Sequence, residues 1–391
     1  MAKRVGMEVS LAIGEAAKLA DVDVVAAYPI TPQTHIVEHL ADLVANGELD
    51  AAYIPVESEH SAMSACLGAS AVGARTFTAT AGQGLELMHE VLYVAASMQL
   101  PMVMTVANRA LSAPLSVWGD HSDAMAVRDT GWIQIFTENG QEVFDNVLCA
   151  FRMGEDRRVL LPVMIHLDGF HLSHMIEPFL IPEQSEVDKF LPRSNYPLTL
   201  DPEKPVSMGA FAPPVIYSET KKAQEENLAA SRDVVIEGWN EFAGVFGRQY
   251  LPVESYRTEG AKVLLLTMGS YSETAMGAID KMRNDGMDVG LVRIRLWRPF
   301  PTQELRQAVR GSETLIVFDR ALSLGGQAGP VCSEVRSALY NEDSRPKVAN
   351  IVGGLGGRDV TVAAFEEIIN RGIEMAQQGS EQKFEIFGVR E

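Results

Sequence analysis

Glu57 and Glu59 stand at the end of an apolar run, YIPVESEH, just before a stretch of small residues from Ser61 to Ala74. A carboxylate at a strand-to-helix junction lies at the carboxyl edge of a parallel sheet, where such folds place their ligands. A helix made of Ala, Gly and Ser lets a flat ligand or another backbone come within van der Waals distance. The plainer reading of Glu59 is a solvated first-turn acid favoured by the helix dipole. Thr31 belongs to Tyr28-Pro29-Ile30-Thr31-Pro32, where two prolines fix the backbone after an apolar run. Its hydroxyl either faces a cleft or caps the next helix. Arg109 follows the apolar run 101–107, and its planar fork suits a carboxylate. Asp120, His121 and Asp123 have the side chains of metal ligands. No carboxylate cluster accompanies them and turn hydrogen bonds can satisfy them, so no metal is assigned.

Positioning these groups takes a regular scaffold. The spacing predicts an amphipathic helix over 6–20, a buried strand over 22–27 and a helix over 34–46. Thr76 to Thr80 (TFTAT) reads as a buried strand, and Ala81-Gly82-Gln83-Gly84 as a tight turn into an apolar helix. Further strands are expected at 101–107, 132–137 and 159–166, with a helix at 141–153 and a long ordered loop at 110–132 over the cleft mouth. Such alternation predicts a doubly wound parallel sheet in an α/β fold. Between 175 and 258 prolines cluster around one charged helical segment, 221–246, as in an ordered linker that wraps the surface. A second α/β unit follows, with strands at 263–269, 288–294, 314–318 and 347–352. The expected division is therefore 1–174, 175–258 and 259–391. Glycines at 325–329 and 353–357 fit neither GxGxxG nor GxxxxGK[ST], so no nucleotide site is assigned.

Composition narrows the function classes. At 391 residues, 47% of them hydrophobic and 22% charged, the chain is an ordered globular protein of two or more domains. A net charge of −19 argues against nucleic acid as the main partner. No apolar run approaches the length of a membrane span. The Met-Ala-Lys-Arg start leads into a charged helix, unlike a signal peptide, so a cytoplasmic location is expected. Cys66, Cys149 and Cys332 are far apart, read as buried free thiols, and form no CxxC.

The phrases AAYPITPQT, VESEHSAMSACLGASAVGARTFTATAGQGLELM, NRALSAPLSVWGDHSD, RDTGWIQIF, RLWRPFP and GLGGRDVT together resemble the α subunits of 2-oxoacid:ferredoxin oxidoreductases, the pyruvate type above all. The resemblance runs from the first helix to about residue 370. It implies a pyrimidine-type thiamine-diphosphate domain followed by a domain like the transketolase C-terminal one. Glu59 matches the glutamate that hydrogen-bonds N1′ of the aminopyrimidine and so activates the coenzyme. Tyr28 and Pro29 fall at the coenzyme site, and Thr31 and Arg109 match positions that hold the 2-oxoacid. Thiamine enzymes hold Mg²⁺ and the diphosphate on a GDG motif, which this sequence lacks. The resemblance therefore implies a β subunit carrying the diphosphate–Mg²⁺ site and a [4Fe–4S] cluster. It also implies γ and ferredoxin-like δ subunits, with ferredoxin or a similar acceptor. The implied reaction decarboxylates a 2-oxoacid oxidatively and passes the acyl group to coenzyme A. Pyruvate is the expected substrate, with an aromatic or branched 2-oxoacid such as phenylglyoxylate as the alternative. Two readings from other classes are a non-catalytic scaffold subunit and a dinucleotide-dependent dehydrogenase. The second needs a glycine fingerprint where YPITP stands.

Overall fold

The computed structural model describes residues 3–194, 196–378 and 384–390. After β1 (Lys3–Glu8) and α1 (Val9–Leu19) the chain alternates β2 (Val24–Ala27), α2 (Thr34–Ala45), β3 (Ala52–Pro55), α3 (Glu59–Ala71), β4 (Thr76–Thr80), α4 (Gln83–Ser97) and β5 (Val103–Asn108). A short helix, α5 (Ser122–Ala126), interrupts the loop that the sequence predicts over 110–132. Then come β6 (Ile133–Phe136), α6 (Gly140–Gly154) and β7 (Val163–Asp168). These strands lie parallel in the order β6-β7-β5-β4-β2-β3. Alternate residues serve opposite faces. Val103, Ile165 and Leu167 pack with Ile13, Leu40 and Phe144 of α1, α2 and α6. Met104, Val106 and Met164 pack with Cys66, Met88 and Leu92 of α3 and α4. With β3 on one side of β2 and β4 on the other, the switch point of the sheet opens beyond the carboxyl ends of β2 and β4.

The predicted helix over 6–20 begins only at Val9, because residues 3–8 extend and pair antiparallel with β8 (Ile176–Ile181), Glu8 opposite Ile176. That partner lies too far along the chain for local periodicity to reveal it. The proline-rich segment is likewise more built-in than a wrap. It holds β8, α7 (Gln184–Phe190), α8 (Pro214–Phe246) and β9 (Val253–Tyr256). α8 starts at a proline in its first turn, where the missing N–H costs nothing, seven residues before the predicted Lys221. Its Trp239 and Phe242 are buried in the first core.

The second sheet takes the order β15-β14-β13-β10-β11-β9, parallel except for β9. Its strands are β10 (Val263–Thr267), β11 (Val289–Ile294), β13 (Thr314–Asp319), β14 (Lys347–Val352) and β15 (Glu385–Ile386). The helices α9 (Tyr271–Asn284), α10 (Thr302–Ala308), α11 (Pro330–Leu339) and α12 (Val362–Gln378) connect them. The three residues of β12 (Leu296–Arg298) cross back to the first sheet and pair antiparallel with β6. So short a strand between two arginines carries no period to read. Among the described residues no helix is long and apolar enough to cross a membrane.

Candidate functional site

The turn after β2 is held by Gln33, a fully buried side chain that sequence reasoning missed. Its Nε2 donates to Ala79 O of β4 at 2.7 Å and to Tyr28 O at 3.2 Å. Tyr28, Pro29 and Thr31 lie on the exposed side of this turn. Across the switch point, Ser58 caps α3 by accepting from Ser61 N at 3.2 Å, which places Glu59 in the first turn. The Glu59 side chain points inward and is only 6% exposed. Among the described residues its carboxylate has no hydrogen bond or ion pair. It faces Gly84, where an added Cβ would lie 2.6 Å from Glu59 Oε1 and 2.5 Å from Thr80 Oγ1. Glycine at the start of α4 is thus what admits the carboxylate.

Arg109, at the end of β5, donates from Nη1 to Thr31 O at 3.1 Å and from Nε to Ser116 O at 2.9 Å. It lies against Gly82, whose φ of 48° and lack of a side chain let the guanidinium stem pass at 3.1 Å from an added Cβ. Glu59, Thr31 and Arg109 therefore surround the Gly82–Gly84 turn at one sheet edge. Thr31 meets Arg109 through its carbonyl, leaving the hydroxyl unengaged by that contact. Asp123 organises the turn: it accepts from Gly82 N at 3.0 Å, Arg109 N at 2.9 Å, Asn108 Nδ2 at 2.8 Å and Ala124 N at 2.7 Å. Thr80 Oγ1, Gln83 Oε1 and Asn108 Oδ1 are buried along this edge with no hydrogen-bond partner among the described residues.

A second polar cluster joins the two sheets. Asp168, at the end of β7, accepts from Ser270 N at 2.8 Å, Ser270 Oγ at 2.6 Å, His121 Nε2 at 3.1 Å and the Arg320 guanidinium. Burial works against its charge, yet Arg320 and His121 outweigh burial and hold the carboxyl below the usual carboxylate range. Burial also pulls His121 down, against the pull of Asp168. Asp120 accepts from Ser122 N at 2.9 Å and Gly356 N at 3.0 Å. Arg295 of RLWRPFP, also buried, pairs with Glu142 and with Glu254. A cavity of about 840 Å³ lies elsewhere, between α4, α8 and residues 298–302, and none of the cleft residues lines it.

Residues 15–238 match the family described as pyruvate flavodoxin/ferredoxin oxidoreductase, thiamine diP-binding, and residues 261–365 match pyruvate:ferredoxin oxidoreductase core domain II. Pyruvate synthase subunit PorA of Methanocaldococcus jannaschii is 49% identical over 375 residues, covering 94% of each chain. PorA of Thermotoga maritima is 46% identical, over 94% of this chain and 95% of that one. Ketoisovalerate oxidoreductase subunit VorA of Pyrococcus horikoshii is 45% identical, over 94% and 93%. Among solved structures, 2-oxoglutarate:ferredoxin oxidoreductase from Magnetococcus marinus superposes with a TM-score of 0.68 at 21% identity, over 96% of this chain and 65% of that chain. A split gene transketolase superposes at 0.55 and 14% identity, over 95% and 100%. At those identities the two structures speak for the fold alone, the doubly wound sheet followed by a second α/β domain.

Proposed function

The chain belongs to the pyruvate flavodoxin/ferredoxin oxidoreductase family, and from that premise we propose that it is the α subunit of a multi-subunit enzyme converting pyruvate and coenzyme A to acetyl-CoA and CO₂. One observation carries the site assignment: a buried residue at the switch point, Glu59, whose carboxylate has no partner among the described residues. Gly84 keeps room for the Glu59 carboxylate against α4, and Thr80 Oγ1 lies beside it with no hydrogen-bond partner among the described residues. Thiamine diphosphate, when bound, supplies the carbanion stabilisation that decarboxylation of a 2-oxoacid requires. Glu59 would hold a proton at N1′ of the aminopyrimidine, and Tyr28 and Pro29 would help to bind the coenzyme. Arg109 keeps Nη2 for the substrate carboxylate while Thr31 O and Ser116 O fix the other two nitrogens. The Thr31 hydroxyl bonds the substrate's carboxylate or oxo oxygen. Residues 1–174 form the pyrimidine domain and 259–391 the transketolase C-terminal-like domain, with 175–258 linking them and packing α8 into the first core.

The remaining parts are assigned to partner chains. Val72, Leu87, Tyr93 and Val94 expose apolar surface on and beside α3 and α4, a face suited to the β subunit that completes the cleft. That subunit brings the diphosphate–Mg²⁺ site and a [4Fe–4S] cluster, and γ and ferredoxin-like δ subunits lead electrons to ferredoxin. The three buried free cysteines suit a reducing cytoplasm. A branched 2-oxoacid is the second reading, favoured by the ketoisovalerate relative; the loop around Leu111 to Trp118 would set that choice. The test is dye reduction by the assembled complex with pyruvate, 2-oxoisovalerate, 2-oxoglutarate and phenylglyoxylate, with and without coenzyme A. Pyruvate is expected to give the highest kcat/KM, and only with coenzyme A; a higher value for another acid overturns the substrate assignment.

A further inference from the structure

Three side chains far apart in sequence meet on the outer side of the YPITP turn. Glu8 immediately precedes α1, His35 sits in the first turn of α2 and His174 follows β7. Each offers a ligand atom, and these atoms all lie within 4.8 Å of one another. We propose that Glu8, His35 and His174 bind one Zn²⁺ ion, with water in the fourth position. The donor set is that of a His₂Glu zinc site, whose ligands stand about 3.4 Å apart in a tetrahedron. Reaching that spacing means opening the 2.7 Å contact between His35 and Glu8 and drawing in the longer separations, none of which exceeds 4.8 Å.

The frame for those ligands is rigid. Val9 N donates to Met175 O at 3.0 Å, and Ser10 N and Oγ both donate to Ser173 O, at 3.0 and 2.6 Å. With Glu8 opposite Ile176 in the β1–β8 pair, Glu8 and His174 are fixed to the same few residues. His35 is fixed by the Gln33 anchor at the start of its helix. Ser173 Oγ holds His174 Nδ1 at 2.8 Å, the outer-shell bond that orients a ligating imidazole. Without metal, His35 Nδ1 and Glu8 Oε1 share a hydrogen bond at 2.7 Å, and a dication takes the place of that proton. Sequence spacing alone hides the set, which is why no metal was assigned from it.

The test uses the tag-free assembled complex dialysed against excess Zn²⁺ and then washed. Crystals measured just above and below the zinc edge should show an anomalous peak between Glu8, His35 and His174 that vanishes below the edge. Elemental analysis should give one more zinc per chain in the wild type than in the His35→Ala/His174→Ala double variant, and Glu8→Gln should weaken binding at least tenfold. Adventitious zinc would leave the same content in wild type and variant. Equal contents, or no peak at this position, overturn the proposal. The wild-type crystal decides alone should the variants fail to fold.

Discussion

The cleft at the switch point and the seam between the two sheets each bury a carboxylate at the carboxyl end of parallel strands, and they treat it in opposite ways. Asp168 in the seam is given four donors by its own chain, from Ser270, His121 and Arg320. Among the described residues, Glu59 in the cleft is given none. Burying a charge is costly, and at Asp168 the chain itself supplies the offset. A saturated buried charge works as a latch. An open one is what the proposed coenzyme site requires, since the bound ring would supply the missing partner.

Breaking the open charge should cost function and spare stability. Glu59→Gln in the assembled complex is expected to lower kcat by a factor of about 10³ or more, roughly 4 kcal/mol of barrier. Its thermal midpoint should hardly move, because no partner in the chain is lost. Full turnover in that variant would favour the scaffold reading. Breaking the latch should do the reverse. Asp168→Asn leaves Arg320 buried without its counter-ion and should destabilise by about 3–5 kcal/mol, while KM for pyruvate in the surviving enzyme stays near wild type.

A gentler probe separates space from charge. Gly84→Ala puts a Cβ into the gap beside Glu59 and Thr80, a misfit worth about 1–3 kcal/mol. It should appear as a 10- to 100-fold rise in the thiamine diphosphate concentration needed for half activity. The control is Gly244→Ala, in α8 with nothing within 4 Å, which should leave that concentration unchanged and stabilise by up to about 1 kcal/mol.

How far the sequence could be read follows the same division. Glu59, Thr31 and Arg109 stand at the ends of apolar runs, and a doubly wound sheet puts run ends in its crevice. That rule needs no knowledge of distant contacts. Gln33 and Asp123 hold the same site together, but a buried glutamine or aspartate looks like a surface one until its donors and acceptors are located. The seam was illegible because Asp168 and Arg320 are 152 residues apart. The glycines at 353–357 suggest a phosphate cradle by type. In the fold they let one domain approach the other, since a Cβ on Gly357 would come within 2.4 Å of Trp118 Cβ and Gly356 N donates to Asp120. Strands β1 and β12 escaped prediction because each is specified by a remote partner and not by its own period.

The finest test of the contrast is in pH. His166 lies on β7, two residues before Asp168, its ring stacked on Phe136 at 4.6 Å. Burial, reinforced by His121 and opposed by Asp168, pulls its pKa down to about 3. Such a histidine stays neutral when folded and takes up a proton when unfolded. Its contribution to stability is complete above about pH 6.5 and is lost as pH falls toward 3. Between pH 6.5 and 5 this group alone should withdraw up to about 2 kcal/mol. The Asp168 contribution is constant over that window. Its folded pKa is depressed, so the carboxyl is ionised in both states there, and its loss begins only below about pH 4. Unfolding curves at pH 7.5, 6.5 and 5.0 should therefore show Asp168→Asn lowered throughout, and His166→Gln with a flatter slope below 6.5 than the wild type. Parallel slopes for wild type and His166→Gln would mean that His166 is not held neutral, and the seam would be wetter than its geometry implies.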